Sequence, residues 1–485
     1  MNPRRVVVAA AATLALTLPA SFAIATQEDS AAASSGGQTE RPNIVFVTTD
    51  DQRASDLRWM PFTRRLLGGH GVTFTNGLSP HPLCCPARAE WVTGQYGQNN
   101  GVHHNEGSYG GYGALRQPSN TLAAWLDASG YQTAMSGKYL NEYHPDKVGG
   151  TGWDHWNPSV EGVYSYRHTT FFNDGRERLH TGHVDDVVMD YTQGYIREFA
   201  ANDAPFFVWA SNLSPHNAFG KAGWGPPRAA ARFHGTLAGT RNPAQRAPSF
   251  NVPVKYGPRA MFAHRDRARM NAWHVARIES LQAVDEGVRD IVWTLRRTGE
   301  LANTYIVFAS DNGFMLGEHG LIEKNVIFEE ALRVPILVRV PTMDRGRVSR
   351  VPVTLVDIAP TIAGLANVRP RRRVDGVSFA RLLHGRDESW RTTQLIQTGT
   401  EKAGTNGWQL RGVRTGRWTY ARAAANGAQQ LYDRARDPFQ MVNLASRPGY
   451  GRVVANLRHR TDVLARCSGT ECSRDFGRVP RPGVR

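Results

Sequence analysis

Four apolar runs along this chain end abruptly in polar or charged residues. Asn43-Ile44-Val45-Phe46-Val47 leads into Thr48-Thr49-Asp50-Asp51, and Tyr131 to Met135 leads into Ser136-Gly137-Lys138. Pro205 to Ala210 runs on toward Pro215-His216, and Tyr305 to Ala309 ends in Ser310-Asp311-Asn312-Gly313. Continuous β-branched and aromatic runs of this length predict strands buried on both faces of a sheet. Helical stretches lie between them, over Thr121 to Ala128, His183 to Phe199 and Ala272 to Thr298. The alternation predicts an α/β fold: a large mixed, mainly parallel sheet sandwiched by helices. Segments 142–182 and 214–262 are rich in Gly, Pro, Trp and His, and read as long surface loops at a pocket mouth. Val351 to Leu365 reads as one more strand-to-helix unit. From about residue 371 the character changes. Arg414 to Tyr420 and Gln430 to Tyr432 read as short antiparallel strands, Asp437-Pro438 as a turn, and Gly451 to Arg466 as a last helix. The expected division is a main domain over 41–370 and a smaller C-terminal α+β subdomain over 371–485.

The ends and the composition narrow this further. Arg4 and Arg5 precede the apolar run Val6 to Leu18, and Ala23-Ile24-Ala25 offers a cleavage site, so residues 1–25 read as a secretory signal peptide. Thr26 to Glu40 reads as a flexible spacer. No other stretch is long and apolar enough to cross a bilayer, so no stable membrane association is expected. The 485 residues carry a formal net charge of +16. A basic surface attracts polyanions, nucleic acid and sulfated polysaccharide among them. No zinc finger or aromatic-basic RNA-binding segment is visible, so nucleic acid is not an expected partner. Of the four cysteines, Cys467 and Cys472 bracket a short loop, where a local disulfide fits an exported protein. Cys84 and Cys85 then stay unpaired, which is odd for an exported chain unless one has chemistry to do.

Cys84-Cys85-Pro86-Ala87-Arg88 runs straight into Ala89-Glu90-Trp91-Val92-Thr93-Gly94. Pro86 suits a first helical turn, and Ala87 to Val92 continues it. Cys84 is therefore expected just before a helix N-terminus, where free N–H groups and the macrodipole favour an anion. Arg88 can turn back toward it. Zinc is disfavoured, because no second Cys or Cys/His pair lies nearby at ligand spacing, and a vicinal disulfide is strained. Asp50, Asp51, Asp311 and Asn312 offer only oxygen, which points to Ca²⁺, with Mg²⁺ second. Taken singly, adjacent acids often cap a helix, and Asp-Asn-Gly is a common turn. Their recurrence after two distant strands favours a metal site. Lys138 and His216 follow strands at the same edge, where open α/β sheets bind ligands.

The run from Cys84 to Gly94 resembles the C-x-P-x-R…T-G signature of type I sulfatases. The resemblance extends to Asn43–Gln52, Gly137-Lys138, Pro215-His216, Ser310–Gly313 and Lys324. It includes Leu431-Tyr432-Asp433, Asp437-Pro438 and Asn443-Leu444 near the C-terminus. It implies an alkaline phosphatase-like fold. It further implies that a formylglycine-generating enzyme oxidises Cys84 to formylglycine, an aldehyde whose hydrate attacks sulfate esters. Asp50, Asp51, Asp311, Asn312 and the modified Cys84 would then hold one Ca²⁺, and Arg88 would orient the formylglycine. Lys138, His216 and Lys324 would bind the sulfate oxygens and assist proton transfer, while Cys85 has no role. Ala87 stands where many members carry Ser. Leu140 stands where many arylsulfatases carry His. The run Gly137 to Tyr143, with Cys84-Cys85-Pro86, is instead similar to the N-acetylglucosamine-6-sulfatase branch, which implies a sulfated amino-sugar substrate. His103, His104 and Asn105 are candidates to touch that sugar. The expectation is a secreted sulfatase acting on sulfated carbohydrate. The alternatives are an arylsulfatase or a phosphodiester or phosphonate monoester hydrolase of the same superfamily, or a non-catalytic binder of sulfated polysaccharide.

Overall fold

In the computed structural model, which describes residues 41–145, 150–253, 266–385, 389–401 and 404–483, strand β1 (Asn43–Thr49) is buried along its whole length. The signal peptide and spacer expected over 1–40 lie outside the described residues. The physical reason for β1's unbroken apolar run is that both of its faces are covered. Ile44 and Phe46 enter one core and Val45 and Val47 the other, as alternation along a strand requires.

Nine further strands complete the sheet: β2 (Gly71–Phe74), β3 (Gln132–Gly137), β4 (His155–Glu161), β5 (Thr169–Asn173), β6 (Arg176–His180), β7 (Phe206–Ser211), β8 (Thr304–Ser310), β9 (Ile336–Arg339) and β10 (Arg347–Ser349). Their order is β10-β2-β9-β8-β1-β7-β3-β4-β5-β6. The block β8-β1-β7-β3-β4 is parallel; β9 runs antiparallel to both β8 and β2. Helices α1 (Cys84–Thr93), α2 (Leu122–Asp127), α3 (Val184–Phe199), α4 (Arg267–Arg297) and α5 (Ile358–Leu365) cover the faces. Trp91, Leu126 and Ile362 join Ile44 and Phe46 in one core, whereas Val188, Ile196, Val284 and Leu295 join Val45 and Val47 in the other. The predicted mainly parallel sandwich is thus present. Among the described residues no helix is long and apolar enough to cross a membrane.

A second sheet, β11 (Thr393–Gly399), β12 (Trp408–Thr415), β13 (Trp418–Ala423) and β14 (Gln429–Asp433), is antiparallel throughout. One face packs Leu395, Val413 and Leu431 on Val453 and Leu457 of helix α6 (Gly451–Leu464). The other packs Ile396, Leu410 and Tyr432 on Ile327, Phe328 and Leu332. Cys467 and Cys472 are disulfide-bonded.

Three elements differ from the sequence reading. Segment 142–182 carries β4, β5 and β6 rather than loop alone; β6 (Arg-Glu-Arg-Leu-His) is largely exposed at the sheet edge and shows no apolar alternation to read. Arg414 to Tyr420 is not one strand, because β12 and β13 meet there as a hairpin around Gly416-Arg417. Val351 to Leu365 has no leading strand. A lone bridge between Leu78 and Thr354 precedes a turn at Leu355–Asp357, and α5 follows directly.

Candidate active site

Strands β8, β1, β7 and β3 are parallel neighbours in register, with Thr49 beside Ser310, Thr48 beside Ser211, and Ser211 beside Gly137. Their carboxyl ends therefore share one rim. Asp50 and Asp51 leave β1 there, Lys138 leaves β3, and Asp311 and Asn312 leave β8. His216 follows β7 by a short loop tied down by Asp185 of α3, which accepts from Leu213 N at 2.7 Å and from the Ser214 hydroxyl.

Helix α1 delivers the remaining groups. All ten of its residues are buried. Cys84 is its first helical residue, one step further in than the sequence reading placed it, because the helix begins before Pro86. The Thr93-Gly94 pair stops the helix. Gly94 adopts φ +67 and donates to Glu90 O at 2.8 Å, and a side chain there would run into Val374. Asn105 accepts the Cys85 amide at 2.9 Å, occupying one of the free N–H groups of the first turn.

The side chains converge. Cys84 Sγ lies 3.3 Å from Asp50 Oδ1, 4.0 Å from Asp51 Oδ1 and 3.1 Å from Lys324 Nζ. Lys138 Nζ donates to Asp50 Oδ2 at 2.5 Å. Arg88 reaches Asp50 Oδ2 at 3.2 Å, Asp311 Oδ2 at 2.9 Å, Ser211 Oγ at 2.9 Å and Lys138 O at 2.7 Å. Lys324 also pairs with Asp51, and Asn312 Nδ2 donates to Asp51 Oδ1 at 2.7 Å. His216 Nε2 stands 3.8 Å from Asp51 Oδ2. Every residue singled out in the sequence for metal, nucleophile or sulfate chemistry is therefore drawn into one cluster. Of the three candidate sugar contacts, Asn105 alone is tied to α1. His103 is sandwiched between Trp408 and Tyr109, and His104 lies 3.1 Å from Glu401.

Burial sets the electrostatics. Burial alone would raise the Asp50 carboxyl, yet Lys138, His216, Arg88 and Lys324 together draw it well below the usual range. Burial and the neighbouring Asp50 charge push Asp311 the other way, against Arg88. Burial, then Asp50, drives the Cys84 thiol up, so the unmodified sulfur is a poor nucleophile here. Burial, then Lys324, lowers His216 to about 4. That ring is neutral at neutral pH, and with Nδ1 2.7 Å from Asn217 O its Nε2 carries the free lone pair.

The cluster fits a hard cation. Asp51 Oδ2 and Asn312 Oδ1 are buried with no hydrogen-bond partner. Such orphaned oxygens are costly unless something electropositive meets them. Asp50, Asp51, Cys84 and His216 each offer a ligand atom within 4.8 Å of the others. Asp311 stands at the far side, its Oδ1 accepting from Asp51 N and Asn312 N.

Three contributors escaped the sequence reading. Arg277 of α4 is fully buried and donates to Asp51 O at 2.5 Å and Pro215 O at 3.0 Å, bracing two rim loops. It sits between Trp273 and Leu281 on the apolar stripe, so a cation interrupting that stripe was the available signal. Tyr164 stacks on His216 at 4.7 Å, and the Tyr166 hydroxyl donates to His216 O at 2.6 Å. Both lie in a stretch read as loop, where nothing local marked them.

A family model described as sulfatase matches residues 42–368, and one described as N-sulphoglucosamine sulphohydrolase, C-terminal, matches 317–466. The chain is 28% identical to an N-acetylglucosamine-6-sulfatase of Capra hircus over 92% of this chain and 87% of that protein. It is 30% identical to the Homo sapiens N-acetylglucosamine-6-sulfatase over 74% of this chain and 67% of that one. A solved structure, described as a complex with its substrate D-glucosamine-2-N,6-O-disulfate, superposes with a TM-score of 0.72 at 22% identity, covering 87% of this chain and 97% of that one.

Proposed function

Because the chain belongs to the sulfatase family, we propose that it is an exported, Ca²⁺-dependent enzyme that hydrolyses the 6-sulfate of an N-acetylglucosamine-like sugar through a formylglycine at position 84. The observation that carries the reading is the position of Cys84 Sγ at a helix N-terminus, 3.3 Å from Asp50 and 3.1 Å from Lys324. The names of the relatives support the sugar. Residues 41–370 would carry the reaction and 371–485 would brace it.

Asp50, Asp51, Asp311 and Asn312 would hold the Ca²⁺, with position 84 completing the set; once bound, it neutralises sulfate charge as a Lewis acid. A hydrated formylglycine at position 84 would supply one hydroxyl as the nucleophile toward sulfur and a second to release the sulfate afterwards. Arg88, locked between Asp50 and Asp311, presents a fixed positive charge beneath position 84. Lys138 and Lys324 bring ammonium donors to the sulfate oxygens. His216 and Lys324, the latter in contact with Asp51 and Cys84, would stand where the departing sugar oxygen needs its proton.

The test joins mass spectrometry of the Cys84 peptide with sulfate release from N-acetylglucosamine 6-sulfate, nitrophenyl sulfate and nitrophenyl phosphodiesters. An aldehyde at 84 and fastest release from the sugar sulfate are expected. An unmodified thiol in protein from its native host, or faster phosphodiester turnover, would overturn the reading.

A further inference from the structure

Trp224 is 46% exposed, and Phe219, its cross-strand neighbour in the hairpin Ala218–Gly220/Gly223–Gly225, is 51% exposed. Their rings meet edge to face at 5.1 Å. Paired exposed aromatics of this size mark a surface that meets something. The inner side of Trp224 is engaged. Its ring lies 5.1 Å from Tyr164 and 5.7 Å from His216, and Lys138 Nζ lies 4.9 Å from the Tyr164 ring centre. A continuous run of rings thus leads from the sulfate end of the rim to the surface.

Trp224 also walls a cleft of about 1200 Å³, closed on its far side by the first turns of α4. Three cations line it: Arg167, Lys221 at the hairpin tip, and Arg228, whose guanidinium lies against Gly220. All three are exposed, and none enters a salt bridge among the described residues. The acids nearby are already engaged. Glu279 accepts from Gly235 N at 3.1 Å and Leu237 N at 2.9 Å, and Asp186 and Glu286 pair with Arg232. The cleft thus combines an aromatic wall, able to pack the apolar face of a sugar ring, with cations free to meet carboxylate or sulfate.

We propose that this cleft is a second subsite, which takes the acidic sugar next to the 6-sulfated residue of a saccharide chain. The natural substrate is then an anionic oligosaccharide or polymer rather than a monosaccharide. The inference rests on the sulfatase reading above and on the continuity of the cleft wall with His216.

The test compares N-acetylglucosamine 6-sulfate with a tetrasaccharide of alternating uronic acid and 6-sulfated N-acetylglucosamine that ends in the same residue. Pairing of the neighbouring uronate with these exposed cations should lower KM for the tetrasaccharide by about fivefold at low salt, and high salt should erase the difference. The combined variant Arg167→Ala, Lys221→Ala, Arg228→Ala should lose that advantage while monosaccharide kcat/KM stays within about twofold, as for exposed substitutions generally. Trp224 is not the test residue, since its contact with His216 would mix two effects. Equal wild-type KM values, or a triple variant that retains the preference, would overturn the subsite alone. An equal loss on both substrates would do the same, by pointing to long-range attraction. Turnover of neither substrate by the wild-type protein would overturn the sulfatase reading together with the subsite.

Discussion

Arg88 has no solvent exposure, and its guanidinium is shared among two carboxylates, a hydroxyl and a backbone carbonyl. A lysine would keep the charge and lose the fork that fixes it. Arg88→Lys is therefore expected to fold and to lose about 10²-fold in kcat, the scale of removing one oriented donor. Sulfate release measured beside a thermal melt checks both halves, and a variant within twofold of wild type would mean that charge alone is needed. Cys84 and Cys85 are adjacent, buried and unpaired, yet only Cys84 faces the acids. Cys84→Ala should abolish turnover, by about 10⁴-fold or more, with the fold intact. Cys85→Ala should stay active with a stability loss of about 1 kcal/mol. An equally dead Cys85 variant would show that the wrong sulfur was assigned.

At the level of elements, Lys324 depends on a turn in which Glu323 and Asn325 both hold positive φ. Asn325 pins that turn. Its N–H donates to Pro82 O at 2.8 Å, its side chain donates to Gly399 O at 2.9 Å and accepts from Gly399 N at 3.1 Å. The tip of β11 thus sets where Lys324 points. Asn325→Ala is expected to lower kcat about tenfold while KM moves little, since losing both side-chain hydrogen bonds loosens the lysine by about 1–2 kcal/mol; a KM rise without a kcat loss would place Lys324 in ground-state binding instead. The strands legible in sequence were those with two covered faces, because burial on both sides leaves an unbroken apolar run, as in Asn43–Val47. The peripheral hairpin β5-β6 and the short β2, β9 and β10 are too polar or too brief to announce themselves. The rim residues were legible because they follow visible strands. Arg277, Tyr164 and Tyr166 were not, because their contacts exist only once distant segments meet.

The whole molecule brings three carboxylates together at one rim and leaves two oxygens there unpartnered. A bound cation would relieve this and stabilise the native state, by about 2.7 kcal/mol at a hundredfold excess over Kd. Exhaustive chelation should thus lower the melting temperature by a few degrees, with recovery on adding Ca²⁺. An unmoved transition in protein shown to be metal-free would mean that Lys138 and Lys324 suffice to balance the acids. The proposed path to activity also has a clock in it. Helix α1 is enclosed on every side, and Cys84 with it. On that proposal an oxidising enzyme would have to reach the sulfur before the sheet closes over it, and maturation would be a race between modification and collapse. Fast overproduction should yield more soluble but dormant copies, whereas slowing synthesis should raise the specific activity of each milligram. Adding the oxidising enzyme to finished protein should rescue nothing until the chain is first unfolded.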